Sequence, residues 1–370
     1  MGAESNVARS RDRIAPYASS MAGVANPVSR ARAGSAYIVG PFYDGLFFIF
    51  APFLALVLGI MIAGTPLADQ PVQVFGYVDS ATEIFIGSFI MAHLVLVFFR
   101  SHGNREIFKL YPYRFTVVPA ALFGAMLVSK WILVITMVVS AYWDVYHSSL
   151  QTFGIGRIYD VKAGNPPLAG RRLDILLSLL LYVGPIAGGA ALMPHLKEFE
   201  DFKEVGAVFL TTIPARLGSY HQVYTWVVLS IGVPFLAYYV WTYWRLHQQG
   251  YHVSTQKVLL LVSTGICSIW TWGFNSFGEA FFIMNFFHAW QYFALVWKYE
   301  KRTVVDHLHL GSGRLAGPTA LGVIMLTTFG YGFLVTIAEP TQAVLAVAFV
   351  VSIMHFWYDG FIWSVRKKQV

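Results

Sequence analysis

Apolar residues form long runs along this chain, and short polar stretches separate them. A helix needs about 20 apolar residues to cross the core of a bilayer, and ten runs approach that length. The runs cover residues 45–64, 81–99, 113–129, 131–151, 174–193, 222–244, 258–275, 279–298, 316–337 and 342–364. The pattern predicts an all-α, polytopic transmembrane helix bundle of about ten spans, numbered here in chain order.

The loops between these runs alternate between rich and poor in Lys and Arg. The loops at 100–114, 152–173, 245–257 and 299–315 are basic, and the mixed-charge loop 194–221 and the other intervening loops are not. Basic loops stay on the cytoplasmic side of a membrane. The alternation therefore predicts that both termini are cytoplasmic. It also requires the short third span, which a break at Ser129-Lys130 separates from the fourth.

Composition supports a membrane protein over a soluble one. Only 12% of the residues are charged, about half the share in soluble proteins. The net charge of +7 lies mainly in loops and at the ends, without a basic stripe interleaved with aromatic residues. We therefore expect contact with anionic membrane lipid and none with nucleic acid. Residues 1–40 are predicted to form a disordered basic tail, and 41–370 the transmembrane domain. The single cysteine, Cys267, excludes an internal disulfide and a Cys-rich metal site.

Histidines occur inside four of the predicted spans, all of them even-numbered and therefore parallel. These residues are His93, His147, His288 and His355. The next basic residue follows each of them after 7 to 11 positions, which places the imidazoles about 10–17 Å below the cytoplasmic ends. A single intramembrane histidine is often an interhelical hydrogen-bonding residue. Four at a shared depth favour a common metal or haem site.

Polar residues three or four positions from these histidines share their helix faces. They are Asp144, Gln151, Asn285, Tyr292 and Asp359. A metal-bound imidazole usually donates its other N–H to a carboxylate or carbonyl, so Asp144 and Asp359 are expected to orient imidazoles. Tyr292 is expected to donate a hydrogen bond to a bound oxygen ligand. A centre of imidazoles suits iron, zinc or copper better than magnesium or calcium.

Two late stretches resemble a known family. Residues 285–298 read NFFHAWQYFALVWK, and residues 354–363 read MHFWYDGFIW. Both are similar to segments of the Brp/Blh family, integral-membrane β-carotene 15,15′-dioxygenases that make retinal for microbial rhodopsins. His93 and His147 match the family's earlier histidines by order and depth. The sequence departs from the family pattern at Tyr292, where a second histidine is usual, and at Gln151, since the earlier family motifs carry an aspartate shortly after the histidine.

Our first hypothesis is a non-haem iron(II) oxygenase of the bacterial inner membrane. The four histidines would hold the metal, and the substrate would be lipid-soluble, such as a carotenoid, another polyene or a lipid. A haem-binding electron carrier with two histidines as axial ligands is the second hypothesis. A proton-coupled transporter is the third, and the absence of an evident inverted repeat argues against it.

Overall fold

The computed structural model describes residues 36–189, 220–275 and 277–363. These residues form helices, one π-helical turn and a two-stranded hairpin. The helices are α1 Pro41–Asp44, α2 Ala51–Ile62, α3 Pro66–Asp69, α4 Ala81–Val95, α5 Val97–Ser101, α6 Arg105–Leu110, α7 Pro112–Val128, α8 Lys130–Lys162, α9 Arg171–Gly188, α10 His221–Gln248, α11 Thr255–Phe274, α12 Phe277–His307, α13 Ala316–Ile337 and α14 Gln342–Ile362. The π-helical turn is Gly45–Ile49, and the strands are β1 Pro71–Val74 and β2 Tyr77–Ser80.

Local sequence explains where several of these helices begin. Ser80 accepts a hydrogen bond from the backbone N–H of Glu83 at 3.1 Å, as in the Ser-x-x-Glu capping box that starts many helices. Ser129 adopts an extended conformation between α7 and α8, and its hydroxyl accepts from Ile132 N–H at 3.5 Å. The break predicted at this serine is therefore present. Thr341 caps α14 in the same way.

Each of the ten predicted spans lies largely on helix, so the all-α prediction is confirmed, but the count of ten membrane spans is not supported. Five helices are long and apolar enough to cross a membrane, or six if the bent pair Pro41–Ile49 and Ala51–Ile62 is one span. The five are Ala81–Ser101, Gln222–Gln248, Thr255–Phe274, Ala316–Ile337 and Gln342–Ile362. α7 has 17 residues, at the lower limit of the range for a span. Buried ionisable side chains lower the hydropathy of α8 and α9.

Some sequence predictions fall on residues outside the described part. Residues 1–35, 190–219 and 364–370 are not described, which includes most of the mixed-charge loop at 194–221 and the basic residues after Trp363. The cytoplasmic placement of both termini therefore stays a prediction.

The folded domain begins earlier than residue 41, where the sequence placed its start. The carboxylate of Asp44 accepts hydrogen bonds from the backbone N–H groups of Ile38, Val39 and Gly40, and from the Tyr159 hydroxyl at 2.9 Å. Residues 38–40, assigned to the tail, are thus bonded to Asp44 of α1, which is in turn bonded to Tyr159 of α8.

The loop between α3 and α4 contains a small hairpin that the all-α prediction omitted. β1 and β2 pair antiparallel through a two-residue turn at Phe75-Gly76. Both residues have positive φ angles, of 50° and 91°, as a type I′ hairpin turn requires. In the sequence, the turn is indicated only by Gly76 within the stretch Val74-Phe75-Gly76-Tyr77. This is a weak signal for a hairpin.

The packing of the long helices brings the histidine-bearing segments together. α4 packs closely on α13, α12 packs on α2 and α4, and α14 packs on α4, α7 and α8. At Gly332 of α13 a side chain would collide with the backbone oxygen of Ser88 on α4. This glycine therefore permits the close approach that fixes α4.

Candidate metal centre

The four histidines predicted from the sequence are brought into contact around a cycle, one from each of α4, α8, α12 and α14. Their rings follow one another in a closed cycle: His93, His288, His147, His355 and back to His93. Successive ring centres are 4.7–5.1 Å apart, and the ring planes are nearly perpendicular. All four side chains are buried, with exposures between 0 and 4%. The shared depth predicted from the loop charges corresponds to this contact.

The orientation of His355 follows from its contact with α4. Its Nδ1 lies 3.0 Å from the carbonyl oxygen of Leu94, at the break between α4 and α5. A carbonyl only accepts, so Nδ1 carries the proton and donates it. In a neutral imidazole the lone pair then lies on Nε2, which points to the centre of the cycle. Nε2 of His147 is 3.1 Å away.

Two of the four imidazoles have nitrogens without a hydrogen-bond partner. Both ring nitrogens of His288 are buried and unpaired among the described residues, and those of His93 make no bond of good geometry there. Buried polar atoms are nearly always paired, because leaving one unpaired costs about 1–3 kcal/mol. The unpaired nitrogens therefore need an explanation, and a ligand of the cluster is one.

The donors form two candidate metal-binding groups that share His355. Nitrogens of His93, His288 and His355 lie within 4.8 Å of one another, and so do donor atoms of His147, His355 and Asp359. Two nitrogens bound to one ion at right angles, with bonds of about 2.1 Å, are about 3.0 Å apart. The Nε2 atoms of His147 and His355, at 3.1 Å, match that separation. Imidazole donors suit iron, copper and zinc. Cys267 is buried elsewhere, where its thiol lies 3.3 Å from the Pro52 carbonyl.

Asp359 lies at the centre but not in its expected orienting position. Its Oδ2 is 3.7 Å from Nε2 of His355 and 3.8 Å from Nε2 of His147. The carboxylate thus faces the nitrogens that point to the centre. The Leu94 carbonyl takes the other N–H of His355, the role that the sequence gave to Asp359. The i, i+4 spacing placed the two side chains on one face but did not show which nitrogen the carboxylate would meet.

Tyr292 also contacts the carboxylate. Its hydroxyl donates to Oδ1 of Asp359 at 2.8 Å, and its ring lies 4.6 Å from that of His355. The expected hydrogen bond from Tyr292 to an oxygen ligand stays a prediction. Trp363, four residues after Asp359, donates its Nε1–H to the same Oδ1 at 2.8 Å. The sequence analysis missed Trp363, although its spacing from Asp359 was a usable signal.

Arg100 holds Trp363 from the side facing away from the histidines. The guanidinium carbon lies 3.9 Å from the centre of the Trp363 ring, within range of a cation–π contact. Arg100 also forms a buried ion pair with Glu300 at 2.5 Å and donates to the Ile362 carbonyl. Asn104 donates to the other carboxylate oxygen of Glu300 at 3.1 Å. This arrangement fixes the end of α14.

The other predicted neighbours do not contact the imidazole nitrogens. Asn285 donates to the carbonyl of Phe281 in its own helix. Gln151 donates to the backbone carbonyl of His288 at 3.0 Å and to Gln291, so it joins α8 to α12.

Asp144 borders a small cavity rather than the imidazole nitrogens. It lines a cavity of about 30 Å³ with Ser148, Tyr182, Trp272 and Asn285. A cavity of that size holds about two water molecules. Within the described ranges, the Asp144 carboxylate forms no hydrogen bond or ion pair with protein. Its predicted role in orienting His147 has no contact to support it.

A second buried cluster of ionisable groups, the charge network, lies between α8, α9, α10 and α11. It consists of Arg157, Asp160, Asp174 and Lys257, with the hydroxyls of Tyr239 and Tyr243. Asp174 accepts from both cations and from both tyrosines at 2.6–2.8 Å. The sequence analysis treated these charges as loop or helix-end residues. Only Arg157 and Asp160, an i,i+3 pair on α8, are paired by their spacing along the chain; nothing in the spacing of Asp174 and Lys257 pairs them with these two.

Comparison of the chain with protein-family models, with curated proteins and with solved structures gives no match. The resemblance to the Brp/Blh dioxygenases therefore stays a prediction from the sequence.

Proposed function

We propose that this chain is a membrane-embedded, metal-dependent oxygenase that acts on a lipid-soluble substrate. The observation that carries the proposal is the closed cycle of four buried imidazoles from four helices, two of them with unpaired nitrogens. Ionisable groups at this depth in a membrane are costly and usually functional. We place the protein in the bacterial inner membrane, and we favour iron(II) as the ion.

The histidines would hold the ion through neutral imidazoles. His355 has the required tautomer, because Leu94 accepts the proton of Nδ1. Iron that is held by nitrogen ligands and keeps open coordination positions would activate dioxygen. Asp359 faces the Nε2 atoms of His147 and His355, and Tyr292 and Trp363 hold its far oxygen. The ring packing excludes water from the four side chains.

The surroundings of the centre favour an apolar substrate. On the two helices that carry His93 and His288, the ring of Phe89 stacks on those of Phe286 and Phe293 with ring centres 5.1–5.4 Å apart, and Trp290 continues the stack. A polar substrate would lose its hydration in such a site without gaining hydrogen bonds. A carotenoid, another polyene or a lipid reaches the site from the membrane without that cost.

The test begins with protein purified in detergent. Metal analysis should give about one iron per chain, and the optical spectrum should lack a Soret band. A chelator should abolish activity and ferrous iron should restore it. In a host that accumulates a carotenoid, the chain should cause loss of colour.

The matched control uses two histidines on the same helix. His288→Ala should abolish both iron binding and colour loss, whereas His307→Ala, at the exposed end of α12, should leave both unchanged. Iron retained in full by His288→Ala would overturn the proposal. A colour change without bound metal would do the same.

The packing of the cluster favours one ion over a haem. Imidazoles in edge-to-face contact leave no slot between them for a porphyrin, and a haem would need two of the helices to separate. A Soret band in the purified protein would reverse this preference.

A proton-coupled transporter is a second candidate, and one contact favours it. Nε2 of His147 and Nε2 of His355 lie 3.1 Å apart beside a carboxylate, an arrangement that also passes protons. Metal analysis separates the two functions, because a relay needs no ion.

A further inference from the structure

Asp359 is a largely buried carboxylate, with its side chain 11% exposed. Within the part of the chain that the structure describes, its contacts of ion-pair length are with His147 and His355, and Arg100 acts on it from a greater distance. A carboxylate so deep in a protein is normally paired with a positive charge. Arg100 contacts Trp363, which is bonded to Asp359, and its guanidinium is paired with Glu300.

The two oxygens of this carboxylate have different surroundings. Oδ1 accepts two hydrogen bonds of 2.8 Å, from the Tyr292 hydroxyl and the Trp363 indole. Oδ2 faces the two imidazole nitrogens at 3.7 and 3.8 Å, too far for strong hydrogen bonds. One oxygen is thus held by the protein, and the other is directed to the centre of the cluster.

We propose that Asp359 is itself a metal ligand through Oδ2, and that Tyr292 and Trp363 are positioning residues that hold it in a one-oxygen binding mode. This inference rests on the proposed metal centre. Four neutral imidazoles leave a divalent ion with both its charges in an apolar interior. A carboxylate ligand halves that net charge and gains its own missing partner.

The competing explanation is an imidazolium. If His147 or His355 were protonated, it would pair with Asp359 without any metal. Nδ1 of His355 already donates to Leu94, so the added proton would lie on an Nε2 atom between the imidazoles and the carboxylate. The two explanations differ in what happens to metal affinity when the carboxylate is removed.

The experiment measures binding of Co²⁺ to the full-length protein in detergent, by competition with a chelator and by the visible spectrum of the bound ion. Asp359→Asn should weaken binding and change the spectrum, because one ligand is altered. Tyr292→Phe and Trp363→Phe should each weaken binding by about 10–100-fold, the usual effect of losing a partner of a metal ligand.

Matched controls are available for both positioning residues. The Tyr331 hydroxyl and the Trp290 indole N–H are buried without hydrogen-bond partners among the described residues. Tyr331→Phe and Trp290→Phe should therefore leave affinity and spectrum as in the wild type. If Asp359→Asn fails to fold, the Tyr292→Phe and Trp363→Phe variants still decide the question.

The outcomes separate this inference from the proposed function. If Asp359→Asn, Tyr292→Phe and Trp363→Phe bind Co²⁺ as the wild type does while His355→Ala does not, the carboxylate is no ligand and the four-histidine centre stands. The imidazolium explanation would then be favoured. If the wild type binds neither Co²⁺ nor iron, the metal centre itself is wrong.

Discussion

The charge network and the histidine centre are both buried clusters of ionisable side chains, but they differ in how many of their polar atoms are paired. The charge network pairs two cations with two carboxylates, and Asp174 alone accepts from four side chains. The histidine centre places four imidazoles and a carboxylate together, yet both nitrogens of His288 stay unpaired among the described residues. The first cluster is largely satisfied by protein, and the second is not.

This difference separates a structural role from a functional one. A network whose charges cancel and most of whose polar atoms are bonded joins helices, and here it ties α8, α9, α10 and α11, with Nε of Arg157 and Oδ1 of Asp160 left unpaired among the described residues. A cluster that keeps polar atoms unpaired gives up stability that a ligand would restore. Natural proteins accept such a cost chiefly at functional sites. Removing a group should therefore have opposite consequences in the two clusters.

The largest effect is expected for Asp174→Asn in the charge network. The substitution leaves Arg157 and Lys257 with one carboxylate between them, and an uncompensated buried charge costs about 3–5 kcal/mol. Unfolding in detergent, followed by circular dichroism over a denaturant series, should show this loss. Metal affinity of the folded fraction should not change.

A double variant is the control for that result. Asp174→Asn combined with Lys257→Met removes one charge of each sign and leaves Arg157 with Asp160, 2.6 Å apart. It should be less destabilised than the single variant. Equal or greater loss in the double variant would show that the network is not balanced by charge.

Metal binding should stabilise the histidine centre by an intermediate amount. A ligand at 100 times its Kd raises the free energy of unfolding by about 2.7 kcal/mol when it binds the folded state alone. Adding Co²⁺ or ferrous iron to metal-free protein should therefore raise its Tm. A Tm that stays constant at saturating metal would contradict the assignment of the unpaired nitrogens to an ion.

A smaller effect of unusual sign is expected for His288→Leu without metal. The substitution removes two unpaired buried nitrogens at similar volume, and each such atom costs about 1–3 kcal/mol. Without metal, the free energy of unfolding of the variant should be about 1 kcal/mol higher than that of the wild type. It should also lose the increase in Tm on adding metal. Strong destabilisation would mean that His288 is a structural residue.

The sequence was sufficient for the helices and for the four histidines. Apolar runs locate helices because each must bury or expose to lipid a continuous apolar surface. Ser129 marked a break because an N-capping hydroxyl starts a new helix. The common depth of the histidines came from loop charges, which no single helix could have shown.

The partners of the carboxylates could not be predicted in the same way. Asp359 was placed near His355 by spacing, but its contact with Tyr292 depends on how α12 packs on α14. Lys257 and Asp174 lie 83 positions apart in the chain, so no local pattern pairs them. The count of ten spans is not supported because helices such as α8 carry buried charged residues that lower their hydropathy.

The smallest effect is expected where the sequence and the structure disagree most, at Asp144. Its position three residues before His147 predicts a shared face. Three residues turn a helix by about 300°, so the side chain lies a full 60° away and one turn further out. That rotation directs Asp144 toward Tyr182 and Trp272, in the small cavity.

Asp144→Asn should leave Co²⁺ affinity within about twofold of the wild type, far below the 10–100-fold loss for partners of a ligand. A loss as large as that of Asp359→Asn would show that the cavity and the histidine centre form one site. Asp144 would then belong to the cluster with unpaired atoms.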